Sequence, residues 1–140
     1  MPAPKTPPLG LHLAATAKSV RRAFDDALAG AGGSLPVWLI LISIKRGDPG
    51  NQRDLAAAVG ITGATLTHHL NAMEADGLLV RRRDPSNRRI QRVELTEAGE
   101  NTFHRLRGTA TAFDKRLRAG LTAQELDVLA DLLKRLQANV

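Results

Sequence analysis

No cysteine occurs in the 140 residues. That removes disulfides, thiolate metal sites and cysteine-based oxidant sensing together, and it suits a reducing, cytoplasmic setting. No apolar run approaches the ~20 residues that a membrane-spanning helix needs; the longest, VWLILI, covers residues 37–42. No membrane partner is expected. The opening MPAPKTPPLG is proline-rich and lacks the apolar stretch of a secretory signal, so residues 1–8 are expected to form a disordered lead-in. Catalytic signatures are missing too. No nucleophile sits in an activating motif, no glycine-rich loop could cradle a phosphate, and the acids are dispersed as surface partners. Neither an enzyme nor a cofactor is therefore expected. A chain of this length forms one domain with a real core.

What is present is positive charge in one place. The formal net charge is +6, and residues 81–92 hold six arginines against one aspartate, a local +5. Such a patch suits a polyanion, although a solvated charged face gives the same count. The arginines here are arranged around a turn, which favours the polyanion.

Residues 9–29 predict a helix, with Leu13, Ala17, Val20, Phe24 and Ala27 at spacings of four and three; Gly30, Gly32 and Gly33 end it. Ser34-Leu35-Pro36 starts the next helix, because serine caps free amides and proline is tolerated in a first turn. The following VWLILISI would also suit a buried strand; the cap, the proline and the Lys45-Arg46-Gly47 stop favour a buried helix.

Residues 51–96 organise the rest. Asn51 opens a short helix, with Asp54 completing an imperfect capping box. Its inner face is Leu55, Ala56 and Val59. Ala56 is small where two helices cross, and Gly60 can take the left-handed turn conformation. Ile61 then enters the core and Thr62 caps a second helix. This alanine-then-glycine spacing is a helix-turn-helix signal. In the second helix Leu66, Leu70 and Met73 form a buried stripe continued into Gly77. At 100° per residue the opposite face carries Ala64, Thr67, His68, Asn71 and Ala75, polar and short enough to approach base edges. Residues 78–80 and 90–95 predict two strands around the turn Asp84-Pro85-Ser86-Asn87. Arg88 and Arg89 then stand at the tip, suited to a narrow minor groove, with Arg81, Arg82 and Arg83 on the approach, suited to phosphates.

Thr96 caps a long helix with Glu97 and Glu100 near its positive end. Phe103, Leu106, Ala110, Phe113 and Leu117 give it an apolar stripe, and Gly120 stops it. Thr122 to Glu125 is a full capping box for a last helix whose apolar face is Leu126, Leu129, Leu132, Leu133 and Leu136. A small reading domain cannot bury these stripes and the first helix's as well. Packing them against a second copy would do so; a monomeric three-helix layer is the alternative.

The stretch DPSNRRIQRVELTEAG, residues 84–99, resembles the wing and the LT-x-x-G helix start of the MarR family, the multiple-antibiotic-resistance-type transcriptional regulators. ITGATLTHHLNAMEADGLLVRR, residues 61–82, is similar to the family's recognition helix and first wing strand, and the likeness runs over residues 9–136. It implies a mainly α fold with a small β wing: a winged helix-turn-helix domain (residues 34–96) plus an N- and C-terminal helical dimerisation region (residues 9–33 and 97–140) within one domain. It implies a homodimer on pseudo-palindromic double-stranded DNA, commonly a repressor released by a small aromatic or anionic effector. Residue by residue, Thr62, Thr65, Thr67, His68 and Asn71 match the groove-reading helix, and Arg89 the arginine that enters the minor groove. Asn87 departs from the family's aspartate, replacing a charge-assisted bond to the arginine's guanidinium with a neutral one. His69 stands where an aliphatic residue is usual.

Two adjacent histidines on a helix point 100° apart and do not converge on one ion; His12 and His104 are far off in sequence. No metal site is expected, and His69 reads as a partly buried histidine with one hydrogen-bond partner. Trp38 and His12 are the candidates for an effector pocket; a core position for Trp38 is equally open. A metal-responsive repressor is disfavoured by the missing cysteines. The alternative of another class is a winged-helix protein-interaction module without specific DNA binding.

Overall fold

The computed structural model describes residues 5–47, 52–89 and 91–140. Three expectations fall outside these: a disordered start over residues 1–4, the helix-opening role of Asn51, and Ile90 as the first residue of the second strand. The chain runs α1 (Leu9–Gly30), α2 (Leu35–Arg46), α3 (Gln52–Val59), α4 (Gly63–Ala75), β1 (Leu79–Arg83), β2 (Gln91–Leu95), α5 (Glu97–Leu117) and α6 (Ala123–Ala138). The fold is therefore mainly helical with one two-stranded wing, as the pattern predicts.

Local chemistry sets most boundaries. Ser34 Oγ accepts from the Val37 amide at 3.3 Å, with Pro36 in the first turn, so VWLILISI is helical rather than extended. Thr62 caps α4 by accepting from the Thr65 amide. Thr122 and Glu125 make both bonds of the capping box: the Thr122 amide donates to Glu125 Oε1 at 2.9 Å, and the Glu125 amide donates to Thr122 Oγ1 at 3.1 Å. Gly60, at φ 81°, makes the reversal between α3 and α4.

The chain forms two compact units, one ending at Ala110 and one beginning at Thr111. In the first, Leu28 of α1, Ile40 and Leu41 of α2, Leu55 of α3, Leu66 and Leu70 of α4, Leu79 of β1 and Leu106 of α5 share one core. Phe103 of α5 enters that core as well. Leu28, one residue beyond the predicted α1 stripe, is fully buried, whereas Leu13 is 40% exposed. In the second unit α6 has no buried residue; Leu129, Leu132 and Leu133 are all more than 40% exposed.

The start of α5 is set by one close approach. Thr96 donates its amide to the Leu78 carbonyl at 3.1 Å and its hydroxyl to the Gly77 carbonyl, while Thr96 Oγ1 accepts from the Gly99 amide at 3.1 Å. This draws the first turn of α5 onto the Leu78 carbonyl oxygen, and a Cβ at Gly99 would overlap that oxygen. The threonine and the glycine of LTEAG are thus one device joining α5 to the wing. Among the described residues no single helix is long and apolar enough to cross a membrane. The bent pair α1 and α2 passes on length and composition but meets at 82°, and Trp38, Ile40 and Leu41 of α2 are core residues.

Candidate nucleic-acid interface

Helix α4 divides cleanly. Leu66, Leu70 and Met73 are buried, while Thr62, Thr65, Thr67, His68 and Asn71 are exposed. Several exposed groups already have a partner within the helix. The Thr62 hydroxyl donates to Thr65 Oγ1 at 2.9 Å, and the Thr67 hydroxyl donates to the Gly63 carbonyl at 2.9 Å. Thr65 therefore keeps its O–H for an external acceptor. Thr67 offers an oxygen acceptor and a methyl group, the latter suited to a thymine methyl. The His68 and His69 rings meet edge to face at 5.7 Å; His68 is exposed and His69 half-buried. Among the described residues no three His, Cys, Asp or Glu side chains are placed to hold a metal ion.

The wing pairs β1 with β2 antiparallel, from Leu79 opposite Leu95 to Arg83 opposite Gln91. Its turn is held by Asp84, which the sequence pattern marks only as a turn residue. The carboxylate is buried and accepts from the Ser86 amide at 2.8 Å, the Ser86 hydroxyl at 2.6 Å and Arg92 Nε at 3.0 Å. These bonds, the Ser86 hydroxyl's first, favour the charged form and hold its pKa at about 2. Asn87 Oδ1 accepts from the Arg89 amide at 3.1 Å. This differs from the expected contact: the side chain at position 87 fixes the backbone of Arg89 rather than its guanidinium, so a neutral amide serves. Arg83, Arg88 and Arg89 are exposed, and no ion pair holds them among the described residues. Arg82 pairs with Glu94 at 3.5 Å, both largely exposed, an interaction weak enough to be exchanged for a phosphate.

Arg81, expected from the sequence to meet phosphate, is engaged within the protein. Only 17% of its side-chain surface is exposed. Nε donates to Glu74 Oε2 at 3.3 Å, and Nη2 donates to Glu74 Oε1 at 3.3 Å and to Asn71 Oδ1 at 2.6 Å. The Arg81 amide also donates to Glu74 Oε2 at 3.1 Å. These bonds lower the Glu74 pKa, the guanidinium hydrogen bond being the largest cause. They also make the polar face of α4 contiguous with the first wing strand.

Neither effector candidate is on the wall of the cavity of about 390 Å³ behind α4. His12 is exposed on α1. Trp38 is 7% exposed and stacks on Phe103 at 5.7 Å. That cavity has Ser34, Val37, His69, Met73, Thr102 and Arg105 on its wall. His69 is half-buried, as the sequence suggests; its neighbours there come from the α1–α2 junction and α5 as well as its own helix, which no sequence spacing could show.

Residues 34–91 match the MarR family profile. An uncharacterised HTH-type transcriptional regulator of Bacillus subtilis (strain 168), YdgJ, is 33% identical over 101 residues; the match spans 72% of this chain and 62% of that relative. Among solved structures, the transcriptional repressor CouR bound to a 23-mer DNA duplex superposes with a TM-score of 0.82 at 28% identity, covering 93% of this chain and 92% of that one. CouR from Rhodococcus jostii RHA1 bound to p-coumaroyl-CoA gives 0.76 at 26% identity, with 91% and 90% covered.

Proposed function

We propose, from the premise that this chain belongs to the MarR family of winged helix-turn-helix transcriptional regulators, that two copies of it bind one pseudo-palindromic DNA operator. The observation that carries this reading is the exposed polar face of α4 joined at Asn71 and Arg81 to a wing bearing unpaired arginines. In this reading Thr65, Thr67, His68 and Asn71 face base edges in the major groove, and Thr62 stands at the phosphate-proximal start of the helix. Arg88 and Arg89 enter the adjacent minor groove, while Arg82 and Arg83 meet phosphates. A regulator fits the lack of catalytic motifs in the sequence.

The homodimer is supported by the bare apolar side of α6 and by Leu9, Leu11 and Leu13 on α1, all at least 40% exposed. Two-fold symmetry then sets half-sites about one helical turn, roughly 10 bp, apart. The protein acts as a repressor relieved by a small aromatic or anionic effector. The p-coumaroyl-CoA bound to CouR supports that ligand class, and the cavity walled by His69, Asp76 and Arg105 offers the Arg105 guanidinium to an anion.

The test is selection of bound sites from random duplex, followed by titration at several salt concentrations. Paired half-sites with the stated spacing, and a steep fall of affinity with salt, are expected. A winged protein-interaction module would show neither.

A further inference from the structure

Resting on that reading, we infer that Arg81 is a positioning residue that decides which bases Asn71 can read. A guanidinium carries five donors and no acceptor, so the atom of Asn71 that meets Arg81 Nη2 at 2.6 Å must be the amide oxygen. Arg81 cannot swing its guanidinium away to release it without also giving up the Nε and Nη2 bonds to Glu74, whose carboxylate the Arg81 backbone amide holds in place. Glu74 lies three residues on from Asn71 and therefore on the same side of α4, so the three side chains form one interlocked set. The side chain of Asn71 is thereby oriented with its oxygen toward the wing strand and its NH₂ turned away from it.

This orientation changes the code. A free asparagine pairs with adenine by presenting oxygen and NH₂ side by side, accepting from N6 and donating to N7. With its oxygen turned toward the wing strand and one lone pair held by Arg81, Asn71 presents its NH₂ donor to the groove ahead of its acceptor. The base it meets must offer an acceptor, as guanine does through O6 and N7 and thymine through O4; adenine offers N7 but loses the paired N6 bond that makes it the usual choice. Cytosine, whose major-groove edge offers the N4 donor, is rejected. Thus an arginine that touches no base sets the preference at one position in each half-site.

The experiment is the base-substitution profile of the selected operator, measured for the full-length chain and for Arg81→Ala, Arg81→Lys and Asn71→Asp. Thermal unfolding checks that each variant is folded. The unaltered chain should favour guanine or thymine over cytosine at one position per half-site by about five- to tenfold, the scale of one hydrogen bond. Arg81→Ala frees the amide to rotate and should move the preference at that position toward adenine. The salt slope of binding to random duplex should stay as it was, while affinity for every duplex falls through the Glu74 carboxylate left unpaired. Arg81→Lys keeps an acceptor-free donor opposite the oxygen and should retain the original preference. Asn71→Asp replaces the donor with an acceptor and should favour cytosine; it carries the test if Arg81→Ala fails to fold.

Two results overturn the inference while leaving the functional reading intact. One is a uniform loss of affinity in Arg81→Ala with a salt slope shallower by about one, the mark of a phosphate contact. The other is an unchanged profile in Asn71→Asp. An unaltered chain that binds no duplex overturns the functional reading and this inference together.

Discussion

At the scale of single residues, the wing depends on side chains whose roles are not equivalent despite similar composition. Of the six arginines, Arg81 and Arg92 hold the protein to itself, and Arg89 projects from a backbone that Asn87 pins. Arg89→Ala is expected to weaken operator binding by ~1–3 kcal/mol, if its minor-groove contact is comparable to a good base contact; titration at fixed salt checks it, and an unchanged affinity removes the wing tip from the mechanism. Asp84 gives a pH-dependent expectation. Its carboxyl titrates at about 2 in the folded chain against 3.8 as the usual value. A depressed carboxylate pKa contributes stability above the unfolded value, and that contribution is lost as the pH falls from 3.8 toward 2. The Ser86 amide resonance, which reports the Asp84 bond, should therefore shift with a midpoint near 2. In Asp84→Asn this transition should be absent.

At the scale of elements, caps and turns were legible because they depend on neighbours within four residues. Ser34, Thr62 and Thr122 each accept from the amide three residues on, as their placement before an apolar run implies. The junction of β1, β2 and α5 was less legible. Thr96 could be read as a cap, but that Gly99 lies against the Leu78 carbonyl follows from a contact across 21 positions of chain. A methyl group there has backbone against it rather than a yielding side chain. Gly99→Ala should therefore cost ~1–3 kcal/mol of stability as an overpacking change, and denaturant unfolding should show it. Gly108→Ala, in the same helix with open space at its Cβ, provides the control and should be neutral or mildly stabilising.

At the scale of the whole molecule, the charge and the unburied apolar surface are what the two proposed partners, a duplex and a second copy, would cover. α6 has a complete capping box and no buried residue, so its helix is locally well specified while its apolar face is left in water. Exposed leucines are ordinary singly, but Leu129, Leu132 and Leu133 stand together on one helix, as at an interaction surface. Leu132→Asp places a charge in that face and should shift the solution mass from two copies to one, with operator affinity falling as the second half-site is lost. A mass that stays at two copies would place the dimer contact elsewhere on the chain.

The amino-acid sequence by itself determined the element order, the caps, the helix-turn-helix with its left-handed glycine, and the arginine-rich hairpin. Each of these rests on periodicity or on bonds between residues a few positions apart. Tertiary structure alone decided which of those arginines are available. Arg81 and Arg83 are equally arginine in the sequence, yet only the fold brings Glu74 and Asn71 to the first and leaves the second in solvent. It likewise put Trp38 against Phe103 and set His69 beside Arg105 at a cavity. The physical reason is the same in each case: a side chain's availability is set by what the fold packs beside it, and periodicity carries no information about partners distant in the chain.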